Sequence, residues 1–128
     1  YRERKRQMAW NLNSDRPIYT QILEVIKMRI ITGVYQPGEK IPSVRELAMQ
    51  AGVNPNTMQK ALSELERSGL VMAQRTSGRV VTEDMDMIGE VRNNLAREQV
   101  HEFFVRMQEL GYNRQEIMHL LEKEGEHE

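Results

Sequence analysis

The sequence predicts an α+β fold: a winged helix-turn-helix domain followed by a short α-helical dimerisation tail. Three observations predict it. Two amphipathic helical patterns meet at a tight glycine-containing turn, Gly52-Val53. A short hairpin with a basic tip follows them directly. From Asp84 onward the composition turns acidic and helical.

Each element has its own local signal. The first helix is expected from Pro17 to about Thr32, with Pro17 at a first helical position, where a missing N–H costs nothing. Ile18, Ile22, Val25, Ile26 and Ile30 recur at helical spacing and form one apolar face. Gly33 stands where a left-handed C-terminal cap belongs. Pro37-Gly38 makes a turn, and a short Lys40-Ile41 extension precedes Pro42.

Ser43-Val44-Arg45-Glu46 reads as a capping box that opens the second helix, with Val44, Leu47, Ala48 and Ala51 inward. Gly52 supplies a positive-φ turn, and Val53 plugs the corner. Asn54-Pro55 then caps and starts the third helix, whose inward residues are Met58, Ala61, Leu62 and Leu65, and Gly69 ends it. Residues 70–74 and 79–82 read as strands around the loop Arg75-Thr76-Ser77-Gly78.

In the tail, Asp84 and Asp86 suit the positive end of a helix. Ile88, Val91, Leu95, Val100, Phe103, Met107 and Leu110 trace one drifting apolar stripe, assigned to a dimer seam. Asn113-Arg114-Gln115-Glu116 repeats the capping-box pattern ahead of Ile117, Leu120 and Leu121. A helical hairpin this short is too small to bury both its apolar faces alone. It also offers too few walls to enclose a drug-sized ligand.

The expected organisation is an N-terminal extension (1–10), a winged domain (11–83) and a helical tail (84–128). Because residue 1 is not Met, residues 1–7 carry no functional weight and Met8 is the expected natural start. At 128 residues with 39% apolar and 29% charged residues, one small domain and an appendage can form. Cysteine is absent, which excludes a disulfide framework and a thiolate metal site and fits a cytoplasmic chain. No apolar run reaches the length of a membrane span, so no membrane partner is expected.

The net charge of −1 conceals an asymmetry. Residues 1–83 carry 13 Lys/Arg against 8 Asp/Glu, and residues 84–128 carry 5 against 11. The basic front half is the part suited to a polyanion.

The third helix separates into an apolar face and a polar one bearing Asn56, Gln59, Lys60, Ser63 and Arg67. Asn and Gln can pair bidentately with adenine in a major groove, and Lys reaches guanine acceptors or phosphate. Asn54, Asn56 and Thr57 crowd the helix N-terminus, where free N–H groups favour a phosphate oxygen. The blander alternatives are that Asn54 only caps and that Lys60 is only solvated. Arg45 either faces the groove or pairs with Glu46 or Glu39. Arg75 and Arg79, around Ser77-Gly78, either enter a minor groove or only keep the hairpin tip charged.

Several longer segments carry a resemblance. They are Asp15-Arg16-Pro17-Ile18-Tyr19-Thr20-Gln21-Ile22; Pro37-Gly38-Glu39-Lys40-Ile41-Pro42-Ser43-Val44-Arg45-Glu46-Leu47-Ala48; Val53-Asn54-Pro55-Asn56-Thr57-Met58-Gln59-Lys60-Ala61-Leu62; and Leu65-Glu66-Arg67-Ser68-Gly69-Leu70-Val71. From about Asn11 to Val81 the chain closely resembles the GntR family of bacterial transcription regulators, and its two-helix tail looks like that of the YtrA subfamily. The resemblance implies DNA contact by Arg45, by Asn54, Asn56, Thr57, Gln59 and Lys60, and by Arg75, Ser77, Gly78 and Arg79 at the wing. Many relatives carry Arg or Ser at the positions of Asn56 or Gln59, so an operator sequence does not transfer.

The expected function is therefore sequence-specific binding of a palindromic double-stranded operator by a homodimer, as a repressor. A small-molecule effector is allowed for but unidentified, and no cofactor is expected. A protein-interaction winged helix would need an apolar or acidic third helix instead. An enzyme would need a catalytic or metal-ligand cluster, and His101, His119 and His127 are scattered on polar segments.

Overall fold

The computed structural model describes residues 10–126; the charged N-terminal stretch with Met8, and His127, lie outside the described residues. The element order is α1 (Ile18–Ile31), α2 (Val44–Ala51), α3 (Pro55–Ser68), β1 (Val71–Ala73), β2 (Arg79–Val81), α4 (Met85–Glu109) and α5 (Arg114–Gly125). This is the expected α+β winged helix with a helical tail. The chain divides into two compact units between Glu90 and Val91.

That division falls seven residues beyond the expected limit at residue 83, for a packing reason. Ile88 is only 7% exposed. A Cβ placed on Gly69 would lie 3.0 Å from Met87 Cε. The opening turns of α4 thus complete the winged unit, and Ile88 is a core residue there, not an open seam position.

The start of α1 also differs from expectation. Pro17 is its N-cap, with an extended ψ of 133°, and the helix begins at Ile18. No side chain caps it directly; the buried Gln21 orders the approach instead. Its Nε2 donates to the carbonyls of Asn13 (2.8 Å) and Arg16 (2.9 Å), while its Oε1 accepts from Asn13 N (2.9 Å). Arg16 donates two hydrogen bonds to Glu24, which raise its pKa, with the opposite charge adding to the effect. Gly33 (φ +83°) turns the chain out of the helix as expected.

Trp10 was expected to fall in an extension, yet it is 8% exposed. The Arg29 guanidinium lies 4.5 Å from its ring centroid, and Arg29 Nη1 donates to Tyr35 Oη at 2.7 Å. A guanidinium stem and an indole bury well together because each presents a flat, weakly hydrated face. The ordered winged unit therefore includes Trp10.

Helices α1 and α2 both pack on α3. Ile22, Ile26, Ile30, Leu47, Met58, Leu62 and Leu65 are buried, each at 2% exposure or less. Burial of side chains this size stabilises by roughly 1.5–3 kcal/mol apiece. Ile18, Val25, Val44, Ala51 and Val53 are only half-buried, at the margins of the faces assigned to them.

The turn between α2 and α3 follows the local chemistry. Gly52 is left-handed (φ +68°), and Val53 N donates back to Ala48 O at 3.0 Å. Ser43 Oγ accepts from Glu46 N at 3.1 Å, but the Glu46 carboxylate returns to the Ser43 hydroxyl (3.1 Å), not to its backbone N–H. The expected capping box is thus half-formed.

Strands β1 and β2 pair antiparallel in the register Val71↔Val81, Met72↔Val80 and Ala73↔Arg79. The Lys40 extension adds an edge to this wing through a bridge to Val80, with Ile41 N donating to Arg79 O at 3.0 Å. Gln74 N donates to Gly78 O (2.9 Å) and closes the tip.

The second unit holds most of α4, and α5. Gly111 (φ +94°) separates the two helices. Asn113 opens α5 with a full capping box: its Oδ1 accepts from Glu116 N (2.9 Å), and its N donates to Glu116 Oε1 (3.0 Å). Ile117 is fully buried. Among the described residues no helix is long and apolar enough to cross a membrane.

Candidate nucleic-acid interface

The candidate recognition element is α3, whose first turn and cap place its polar side chains on one face. Asn54 is the N-cap: its Oδ1 accepts from Asn56 N at 2.8 Å, and Pro55 follows in the first turn. The Asn54 carboxamide oxygen is therefore engaged, which leaves its NH2 group outward. Met58, Ala61, Leu62 and Leu65 turn inward, Thr57 is half-buried, and Asn56, Gln59 and Lys60 are exposed.

At about 100° per residue, these side chains form an ordered strip. Asn56 and Ser63 run along its middle, Gln59 and Glu66 along one flank, and Lys60 along the other. Gln59 Nε2 donates weakly to Ser63 Oγ (3.4 Å). Each flank is tied to another element. The Lys60 ammonium lies 4.4 Å from the centroid of the Tyr19 ring on α1. On the opposite side, Arg79 Nε donates to Glu66 Oε1 at 3.0 Å.

With that second contact Arg79 is placed differently from the expected hairpin tip. Its side chain is only 14% exposed, so it is folded back onto α3 and does not project from the wing tip. The reason is register: Arg79 opens β2 opposite Ala73, next to the C-terminal half of α3. Arg75, Ser77 and Gly78 are exposed on the tip itself.

Arg45, Gly78 and Arg79 do meet. Together with Pro42, Ser43 and Val44 they line a cleft of about 290 Å³ between the start of α2 and the wing. A second cleft of about 380 Å³ shares Ser43 and Gly78 and is lined also by Lys40, Glu46 and Ser77. Arg75 lines neither.

Sequence reasoning missed Lys40, whose stem covers Gly78 so closely that a Cβ there would stand 2.8 Å from Lys40 Cε. The available signal was the extension before Pro42, which pairs with the wing. It missed Tyr19 as well, since nothing local marks an aromatic ring on one helix as the rest for a lysine on another.

The seam residues do not form one stripe. Val100 lies five positions after Leu95, and five steps rotate a helix by about 140° beyond a full turn. Val91, Leu95 and Met107 are half-buried, whereas Val100, Phe103 and Leu110 are exposed at 55%, 36% and 72%. Val105, Tyr112, Met118 and Leu121 are exposed too. This unit carries a groove of about 770 Å³, lined in part by Arg97, Val100, His101, Phe104 and Arg114. It runs openly along α4 and is not an enclosed pocket. No group of three or more His, Cys, Asp or Glu gathers among the described residues.

A helix-turn-helix with a polar recognition face and a basic wing defines the class of winged-helix DNA-binding proteins. The family model described as "Bacterial regulatory proteins, gntR family" matches residues 18–81. Two curated relatives from Bacillus subtilis (strain 168) match beyond the winged unit. "Uncharacterized HTH-type transcriptional regulator YhcF" is 41% identical over 105 residues, 82% of this chain and 87% of that one. "HTH-type transcriptional repressor YtrA" is 38% identical over 93 residues, 72% of each chain.

Among solved structures, the GntR family transcriptional regulator from Listeria monocytogenes superposes with a TM-score of 0.80 at 38% identity, covering 88% of this chain and 98% of that one. The DNA-binding domain of AraR in complex with operator ORX1 superposes at 0.52 and 32% identity, covering 56% of this chain and 92% of that one. The chain belongs to the GntR family of transcriptional regulators and is similar to its YtrA-like members.

Proposed function

We propose that the chain is a repressor that binds a palindromic operator as a homodimer, with α3 in the major groove and the wing on the flanking backbone. The observation that carries this reading is the polar strip of exposed Asn56, Gln59 and Lys60 with half-buried Ser63, bracketed by α1 on one side and the wing on the other. Amide side chains on such a strip suit adenine edges, while Arg45, Lys40 and Arg75 suit phosphates. The DNA-binding domain of AraR in complex with operator ORX1 supports operator binding by the winged unit, and the name of YtrA as a repressor supports the sign of regulation.

Dimerisation is proposed to rest on the tail. Val100, Phe103 and Leu110 are too apolar to stay in water without cost, and a second copy offers the same surface in return. A two-fold dimer presents two recognition helices about one DNA turn apart, which is why a palindrome is expected. A small-molecule effector, where one exists, would have to favour one arrangement of the paired winged units over another.

Selection of bound sequences from random DNA, followed by sedimentation of the complex, tests the whole reading. A selected palindrome bound by two chains is the expected outcome. Equal affinity for all sequences, or one chain on one asymmetric site, refutes it.

A further inference from the structure

We propose that Tyr19 is a positioning residue for DNA binding: its ring holds the Lys60 ammonium on the α1 flank of the recognition helix, where Lys60 neutralises a backbone phosphate and does not read a base. The inference rests on the DNA-binding role proposed for α3.

The geometry begins with the helix period. Lys60 sits one turn beyond Asn56 and about 100° around the helix from Gln59. A side chain on that flank faces the wall of a groove, where phosphates are, more readily than its floor. The Lys60 ammonium is also already occupied in a directional way, 4.4 Å from the Tyr19 ring centroid, inside the roughly 6 Å range of cation–π attraction. Tyr19 is half-buried and lies in the first turn of α1, which packs on α3. The ring is therefore a fixed platform.

Two consequences favour a phosphate over a base. A free lysine stem has several rotamers to lose on binding, and a ring that pre-selects one lowers that loss. A cation over a π-face also keeps most of its N–H donors outward, and an ammonium serves phosphate as a point charge without needing a planar fork. On the opposite flank Arg79 is paired with Glu66, and the other cation of the polar face, Arg67 in the last turn of α3, donates to Glu64; Lys60 is the α3 cation that rests on α1.

The experiment measures binding of the full chain to its selected operator and to single-base variants of it, from 50 to 200 mM salt. The variants are Lys60→Met, Tyr19→Phe, Tyr19→Leu and the double Tyr19→Leu/Lys60→Met, each checked for folding by circular dichroism. Lys60→Met is expected to reduce the slope of log K against log salt by about 0.9 and to weaken all base variants alike. Tyr19→Phe keeps the ring and should bind as the unaltered chain does. Tyr19→Leu should weaken binding by about 2–5-fold, and should add nothing once Lys60 is Met. If the leucine variant does not fold, Tyr19→Met, with its flexible apolar side chain, takes its place.

A changed preference at one base pair in Lys60→Met, with the slope intact, overturns the phosphate assignment. An equal loss from Tyr19→Leu in both backgrounds, or from Tyr19→Phe, shows a structural role and overturns the positioning one. If the unaltered chain selects no sequence at all, the underlying DNA reading falls, and this inference with it.

Discussion

Arg79 and Glu66 join the returning strand of the wing to the C-terminal half of the recognition helix through a 3.0 Å hydrogen-bonded ion pair. The pair ties the wing to α3, the two elements proposed to meet DNA. Arg79 is largely covered and Glu66 is 41% exposed, which makes the contact worth more than an open surface pair but well short of a buried one. Arg79→Ala is expected to lower stability by about 1 kcal/mol through lost packing as well as lost charge. Arg75→Ala, at the exposed tip, should leave the melting temperature unchanged and weaken operator binding. Thermal unfolding and a binding titration on both variants check the contrast; equal stability loss in the two would contradict it.

Base reading is expected from the middle and wing-side positions of α3. Asn56→Ala and Gln59→Ala should each cost about 1–3 kcal/mol of operator affinity and relax the preference at one base pair. Neither side chain is in the core, so folding should be unaffected. Affinities for a panel of single-base operator variants, taken at one salt concentration, measure this.

Gly78 is required chiefly by its backbone. Its φ of +78° strains any L side chain, whereas Lys40 Cε, 2.8 Å from where a Cβ would stand, is the far end of a flexible side chain that can shift. Gly78→Ala should cost about 1–3 kcal/mol and speed amide exchange in the wing. Adding Lys40→Ala removes the crowding but not the strain, so recovery should be partial. Full recovery would show that φ is immaterial here.

Where the chain is cut decides what is left. Truncation after Glu90 should give a folded, monomeric winged unit, because Met87 and Ile88 remain in place. Truncation after Glu83 removes them, and loss of the buried Ile88 alone should cost about 1.5–3 kcal/mol. Analytical ultracentrifugation with denaturant titration distinguishes the two products. A dimer persisting after truncation at Glu90 would move the seam out of the tail.

Replacing Phe103 and Leu110 together by Asp is expected to dissociate the full chain without unfolding it, because both side chains are open to solvent in one copy. Binding to a full palindrome should then fall by roughly 10²–10⁴ toward that of a half-site. Unchanged sedimentation would exclude both residues from the seam.

The parts of the fold legible in the sequence are those governed by neighbours three or four residues apart. Ser43 and Asn113 as caps, Gly33 and Gly52 as left-handed turns, and the inward set Met58, Ala61, Leu62 and Leu65 all follow from local spacing. What was not legible depends on residues brought together only by tertiary packing. Arg79 was expected at the tip because the sequence does not show Glu66 thirteen residues away swinging beside it. Ile88 joined the tail stripe because helical period alone cannot tell which body covers a face. The stripe itself concealed a five-residue step that a strict count of rotation would have exposed.

The chain contains a single tryptophan, Trp10, stacked on the buried Arg29 guanidinium. Its fluorescence is therefore an intrinsic optical gauge of one event: the docking of the segment before α1 onto that helix. An indole leaving the cation for water changes both its quenching and its emission wavelength. Trp10 lies outside the residues proposed to touch DNA, so undocking at this end can be timed without a label placed on the recognition surface.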